Sequence, residues 1–272
     1  MDRLRKALDI ARRERVRAAE LNSEGATDPE PRRMLPRPTA IRYTQTMSFQ
    51  PPPALLEANR VVDIGKSSPE AAAFRVLRTQ VLQRMEEHHW QSLAIFSPSS
   101  EDGKTTTALN LAVSLANDER HTVLLVDFDL RRPMIASRLG LEPYKGGDDV
   151  LRGEARISHC LYHPESFDRL VILPARAAME HSSEAISGQR GRDLVAELRS
   201  RYPDRLVLFD LPPLLGADDA LAFAPLIECG LVVVSEGSTR REDLLRSMEL
   251  LRKTPIIGTV LNRGKYVPSA YG

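Results

Sequence analysis

Residues 94–110, AIFSPSSEDGKTTTALN, and the run VLLVDFDLRRP at 123–133 constrain this chain more than anything else in it. An apolar stretch, Leu93-Ala94-Ile95-Phe96, enters a turn of small and polar residues, passes through Gly103-Lys104-Thr105, and continues as a helical pattern from Thr106 to Ala112. Strand, tight loop and helix in that order bring backbone N–H groups and the positive end of a helix dipole to one point, which is how a chain cradles phosphate. Lys104 is then placed to reach the terminal phosphates of a nucleoside triphosphate, and Thr105 to offer its hydroxyl to Mg2+. The general pattern G-x-x-x-x-G-K-[ST] is incomplete, because Pro98 stands where the first glycine belongs.

The rest of the chain supports a fold that displays such a loop. Residues 123–126, 206–209, 231–234 and 256–261 are near-continuous apolar runs, the mark of strands buried on both faces of a parallel sheet. Helical patterns over 105–116, 190–200, 218–227 and 240–251 alternate with them. The expected fold is α/β: a doubly wound, mostly parallel sheet flanked by helices, of the P-loop type, over residues 61–272. In such sheets ligands sit beyond the carboxyl ends of the strands. Ahead of this domain, residues 1–22 read as a charged helix and 23–60, which include Pro51-Pro52-Pro53, as a Pro-rich linker. The helix has two readings, a docking element for a partner or an anionic membrane surface and a solvated helix; its narrow apolar face favours the second.

Bulk properties exclude several classes. A net charge of +1 gives no whole-chain field for nucleic acid. No apolar run approaches the roughly 18 residues of a membrane span. Cys160 and Cys229 lie far apart without redox or metal spacing, which suits a reducing cytosol. His159 and His163 flank Cys160 at helical spacing, but no fourth ligand follows, and metal binding there is not expected.

Two further strands end in acids. Asp127 closes the 123–126 run with Asp129 two residues on, and Asp210 closes 206–209 before Pro212-Pro213. If the chain stays extended past Asp127, both carboxylates of that pair face one side of the ligand edge. One acid can hold the Mg2+ shell while another accepts a proton from an attacking hydroxyl. The competing reading makes them helix caps.

Taken with the loop, DFDLRRP, FDLPPLLGADDALAFAPL, SSEAIS around Ser183, SEGSTRREDLLRSMELL and GTVLNR fall in an order that resembles the bacterial tyrosine kinases of exopolysaccharide and capsule synthesis, within the ParA/MinD-like P-loop ATPases. The similarity covers about Ser67 to Arg263. The resemblance implies ATP and Mg2+ as ligands. Ser100, Glu101, Asp102, Gly103, Lys104, Thr105 and Thr106 would form the phosphate cradle, and Asn262 would contact the base. Thr105, Asp127 and Asp210 would surround the metal. Lys104, Asp127 as general base and Asp129 would carry catalysis, with Tyr266 and Tyr271 as phosphoacceptors. It also implies a homo-oligomer, and a cytoplasmic location at the inner face of the plasma membrane through a membrane-anchored polysaccharide co-polymerase.

Several positions depart from that pattern. Ser99 stands where partition and positioning ATPases carry a second lysine. Glu101 replaces a glycine, so affinity for nucleotide should be weak unless its carboxylate turns outward. Ala72 replaces the acid of an E-x-x-R-x-x-R oligomerisation helix, with Arg75 and Arg78 retained. The tail holds two tyrosines rather than a cluster, although ten extended residues span about 35 Å and would let Tyr271 reach a neighbouring site. The expected activity is that of an ATP-dependent protein-tyrosine autokinase regulating exopolysaccharide assembly. A regulatory ATPase and a non-catalytic adaptor remain as alternatives.

Overall fold

The computed structural model describes residues 46–200 and 205–264, which form an eight-stranded sheet covered by helices on both faces. Its strands are β1 (Met47–Phe49), β2 (Ser92–Phe96), β3 (Thr122–Asp127), β4 (Tyr162–Pro164), β5 (Leu170–Leu173), β6 (Arg205–Asp210), β7 (Cys229–Ser235) and β8 (Ile256–Asn262), in the order β1-β4-β5-β3-β6-β2-β7-β8. Six of them, from β5 to β8 in that order, are parallel, while β4 runs antiparallel to β5 and carries β1 on its outer edge.

Alternation along the central strands feeds two cores. Leu93, Ile95, Val123, Leu125, Leu206 and Leu208 face one layer; Ala94, Phe96, Leu124, Val126, Val207 and Phe209 face the other. This double burial is why the runs read as continuously apolar. β8 is the exception among the expected strands. As an edge strand it exposes Thr259, and Leu261 is 61% exposed.

The helices are α1 (Pro53–Ala58), α2 (Pro69–Glu87), α3 (Lys104–Ala116), α4 (Ile135–Leu139), α5 (Gly147–Arg152), α6 (Ser182–Ser187), α7 (Gln189–Ser200), α8 (Asp219–Phe223) and α9 (Arg241–Leu250). The pattern expected to run to residue 227 ends earlier, because α8 tightens into a 3-10 turn at Ala224–Leu226 around Pro225.

The linker expected over 23–60 is corrected at its end. Residues 47–49 and 53–58 are a strand and a helix of the folded domain, so the boundary at residue 61 falls inside it. Pro53 occupies the first position of α1, where its missing N–H is no loss and its fixed φ helps. The same prolines that suggest a spacer therefore open a helix. Asn110 of α3 then clamps the chain that follows, accepting from the Val62 N–H at 2.6 Å and donating to the Arg60 carbonyl at 2.9 Å. Residues 1–22, most of the linker, Tyr266 and Tyr271 lie outside the described residues. Among the described residues no helix is long and apolar enough to cross a membrane.

Arg75 and Arg78 of α2 do not project as a free pair. Arg75 donates to the Ile64 carbonyl at 3.0 Å and Arg78 to the Ser114 carbonyl at 3.1 Å, so both tie α2 to its own domain.

Candidate active site

The loop between β2 and α3 sits at the carboxyl edge of the sheet, between β6 and β7. Gly103 precedes α3 with φ of +89°, a left-handed backbone that a side chain would strain. A Cβ there would also collide with the Asn262 side-chain amide, so glycine is required twice over. Asn262, at the end of β8, donates from that amide to the Asp102 carbonyl at 2.9 Å and braces the loop from beneath.

Asp102 has turned inward. Its Oδ2 accepts from the Ser99 N–H at 2.8 Å and its Oδ1 from the Thr239 hydroxyl at 2.6 Å, while Thr239 Oγ1 accepts from the Ser235 N–H at 2.7 Å. This carboxylate, counted among the nucleotide contacts on sequence, is instead the pin that fastens the loop to the end of β7. Thr239→Val should leave both the Asp102 carboxylate oxygen and the Ser235 N–H without that partner and destabilise the fold by about 1–3 kcal/mol. The melting temperature should then fall by roughly 2–4 °C per kcal/mol in a domain of this size, and an unchanged thermal scan would refute the pin. Glu101 and Ser100 are exposed, so the Glu101 carboxylate is free to turn to solvent. Pro98 gives its carbonyl to the Leu215 N–H at 3.2 Å, a role that needs no N–H of its own.

Lys104 opens α3 and is only 3% exposed. Its Nζ lies 2.5 Å from Asp210 Oδ1, 3.7 Å from Asp129 Oδ2 and 3.4 Å from Thr105 Oγ1. Register explains the meeting: Asp127 on β3 is the cross-strand partner of Asp210 on β6, which places them side by side at about one strand spacing, roughly 4.8 Å. Phe128 alternates to the other side and packs on Phe209 and Phe223, with ring centroids 5.7 and 4.9 Å away. That anchor sends Asp127 and Asp129 toward the same edge.

Both acids of the β3 end are shifted upward. Burial, and then the neighbouring Asp210 carboxylate, push the Asp127 carboxyl up to about 8. Burial also raises Asp129, with Lys104 opposing. Asp127 Oδ2 accepts the N–H groups of Met134 at 3.0 Å and Ile135 at 2.9 Å, fixing the start of α4. Asp127 Oδ1 and Asp210 Oδ2 are buried with no hydrogen-bond partner. Two orphaned carboxylate oxygens beside a buried ammonium and the Thr105 hydroxyl fit a hydrated divalent cation with phosphate oxygens, which would complete both sets.

Thus the structure brings Gly103, Lys104, Thr105, Thr106, Asp127, Asp129 and Asp210 to one edge, with Asn262 against the loop's underside. Three further side chains surround these residues, of which Thr239 and Arg138 carry no signal in the sequence. Arg131 pairs through Nε with the buried Asp219 at 2.7 Å and through Nη2 with Asp218 at 3.0 Å, linking the loop after β3 to α8. Thr239 pins Asp102, and Arg138 donates to Thr106 Oγ1 at 2.8 Å. The His159, Cys160 and His163 group does not converge: Cys160 donates to the Arg156 carbonyl, and the His163 ring faces the Leu170 carbonyl from β4.

Residues 93–268 match the CobQ/CobB/MinD/ParA nucleotide binding domain. Among curated proteins, the chain is 27% identical over 212 residues to the tyrosine-protein kinase YwqD of Bacillus subtilis, covering 77% of this chain and 88% of that one. It is 30% identical over 233 residues to the succinoglycan biosynthesis transport protein ExoP of Rhizobium meliloti, covering 81% of this chain but 28% of ExoP. Among solved structures, the VpsO kinase domain superposes with a TM-score of 0.64 at 31% identity, covering 72% of this chain and 96% of that domain.

Proposed function

The chain belongs to the CobQ/CobB/MinD/ParA nucleotide binding family and, within it, to the bacterial tyrosine kinases of exopolysaccharide and capsule synthesis; on that premise we propose that Lys104 and the strand-end aspartates transfer the γ-phosphoryl group of ATP to tyrosine. The observation that carries the residue assignment is the buried Lys104–Asp210 contact with two unsatisfied carboxylate oxygens beside it.

In this reading a tyrosine oxygen forms a bond to the γ-phosphorus while the bond to the β–γ bridging oxygen breaks and ADP leaves. Lys104 neutralises charge that grows on the transferring and leaving oxygens. Magnesium, held by Thr105, Asp127 and Asp210, would supply further positive charge to the phosphates and favour the carboxylate form of both acids. Asp127, kept as a carboxylate in the loaded site, accepts the tyrosine proton. Asp129, at 14% side-chain exposure, is the acid of the trio most open to an incoming substrate and assists.

The acceptors proposed are Tyr266 and Tyr271 of the tail, presented to a neighbouring copy in a homo-oligomer. The proposed partner is a membrane-anchored polysaccharide co-polymerase, which would hold this chain at the cytoplasmic face of the membrane; similarity to a succinoglycan biosynthesis transport protein supports that setting. Incubation with γ-labelled ATP and Mg2+ tests the reaction. Label should appear on tyrosine, and the paired substitutions Tyr266→Phe and Tyr271→Phe should remove most of it. Full labelling of that double variant would place the acceptor elsewhere. Phosphate release with no labelled tyrosine would make the chain an ATPase.

A further inference from the structure

Arg138 is held at both ends of a short helix. The first turn of α4 hangs from Asp127 Oδ2 through the Met134 and Ile135 N–H groups, and Asn59 donates to the Arg138 carbonyl at 3.1 Å. From this fixed base the guanidinium reaches the first turn of α3, where Nη1 donates to Thr106 Oγ1 at 2.8 Å. Its Nε is buried and has no hydrogen-bond partner. Among the described residues no carboxylate pairs with it, whereas Arg131, Arg152 and Arg176 each face an aspartate.

A guanidinium stays charged at any working pH. Withdrawing one partly from water with a neutral hydroxyl as its partner is unfavourable unless an anion completes the site. The neighbouring anion site is the start of α3, where N–H groups and the helix dipole converge. Lys104 is already matched by Asp210 and Asp129 at the end nearest the strand acids. Arg138 stands two residues further along, beside Thr106, where the phosphate chain would run back toward the nucleoside.

We propose that Arg138 is a nucleotide-binding residue whose guanidinium, oriented by Thr106 Oγ1, grips the α-phosphate shared by ATP and ADP. The inference rests on the nucleotide reading of the loop and is independent of the phosphoryl acceptor. It assigns Arg138 to affinity for the nucleotide as a whole, not to discrimination between di- and triphosphate.

The test is a fluorescence titration of the full chain with N-methylanthraniloyl-ADP, with unlabelled ATP as competitor, on wild type, Arg138→Gln and Arg138→Lys, beside thermal scans with and without ADP. Arg138→Gln should weaken ADP and ATP by the same factor, about tenfold, as expected for losing one charge-assisted hydrogen bond. Arg138→Lys should fall between. Without ligand, Arg138→Gln should melt no lower than wild type, because it removes an unpaired cation, yet its ADP-induced rise should shrink. Wild-type affinity in Arg138→Gln would overturn the proposal, as would a loss confined to ATP. A lowered ligand-free melting point with a full ADP-induced rise would make Arg138 a packing residue. ADP binding that depends on Arg138 in a protein that labels no tyrosine would sink the acceptor assignment and leave this inference standing.

Discussion

Lys104→Met is expected to lower tyrosine labelling by at least about two orders of magnitude, the scale of removing a charge that stabilises the transition state. The ammonium is nearly inaccessible and is shared between Asp210 at 2.5 Å and Asp129 at 3.7 Å. Removing it also leaves Asp127 and Asp210 adjacent, buried and without a cation. Breaking a buried pair from one side destabilises by about 3–5 kcal/mol, offset in part as one carboxyl takes up a proton. The variant must therefore be assayed well below its melting point, with folding checked by circular dichroism. Labelling near wild type in a folded Lys104→Met protein would remove the site from the mechanism.

Asp127→Asn should separate chemistry from folding. Labelling should drop by about a hundredfold or more, because the amide cannot take the tyrosine proton. Metal-free stability should instead increase. The asparagine oxygen can still accept from Met134 and Ile135, and its NH2 replaces an oxygen that is buried without a partner.

The pH dependence has a definite sign. Burial and the Asp210 carboxylate push the Asp127 carboxyl in the folded protein up to about 8, well above the ordinary carboxylate value of about 4, so folding takes up a proton between those limits. Wild-type stability is then lost as pH rises through that window, at up to about 1.4 kcal/mol per unit. The stabilisation by asparagine should be small near pH 4 and largest at pH 8 and above. Parallel melting curves for the two proteins across this range would contradict the raised carboxyl.

The loop and the two aspartate strands were legible because each is local: an apolar run, then a turn or an acid. That Asp127 and Asp210 stand side by side was not, since the register of β3 against β6 joins residues far apart in sequence. Asp102 and Thr239 are separated by 137 positions, and neither carries a pattern that announces the other. Arg138 lies in an unremarked helix whose position depends on an aspartate carboxylate rather than on its own periodicity. Pro51–Pro53 misled because the same composition serves a spacer and a helix start, and only the packing of Leu56 against the core distinguishes them. Glu101 raised a question the sequence left open, since whether the residue is exposed depends on the path of the folded loop.

Calorimetric titration of the wild-type protein with ATP, run with and without Mg2+ and repeated on Lys104→Met, tests most directly whether one ammonium and the strand-end acids enclose a single metal–nucleotide pair. One equivalent bound, with affinity that needs Mg2+ and is lost in the variant, is the expected result. No heat of binding at millimolar ATP, or equal binding by Lys104→Met, would contradict it.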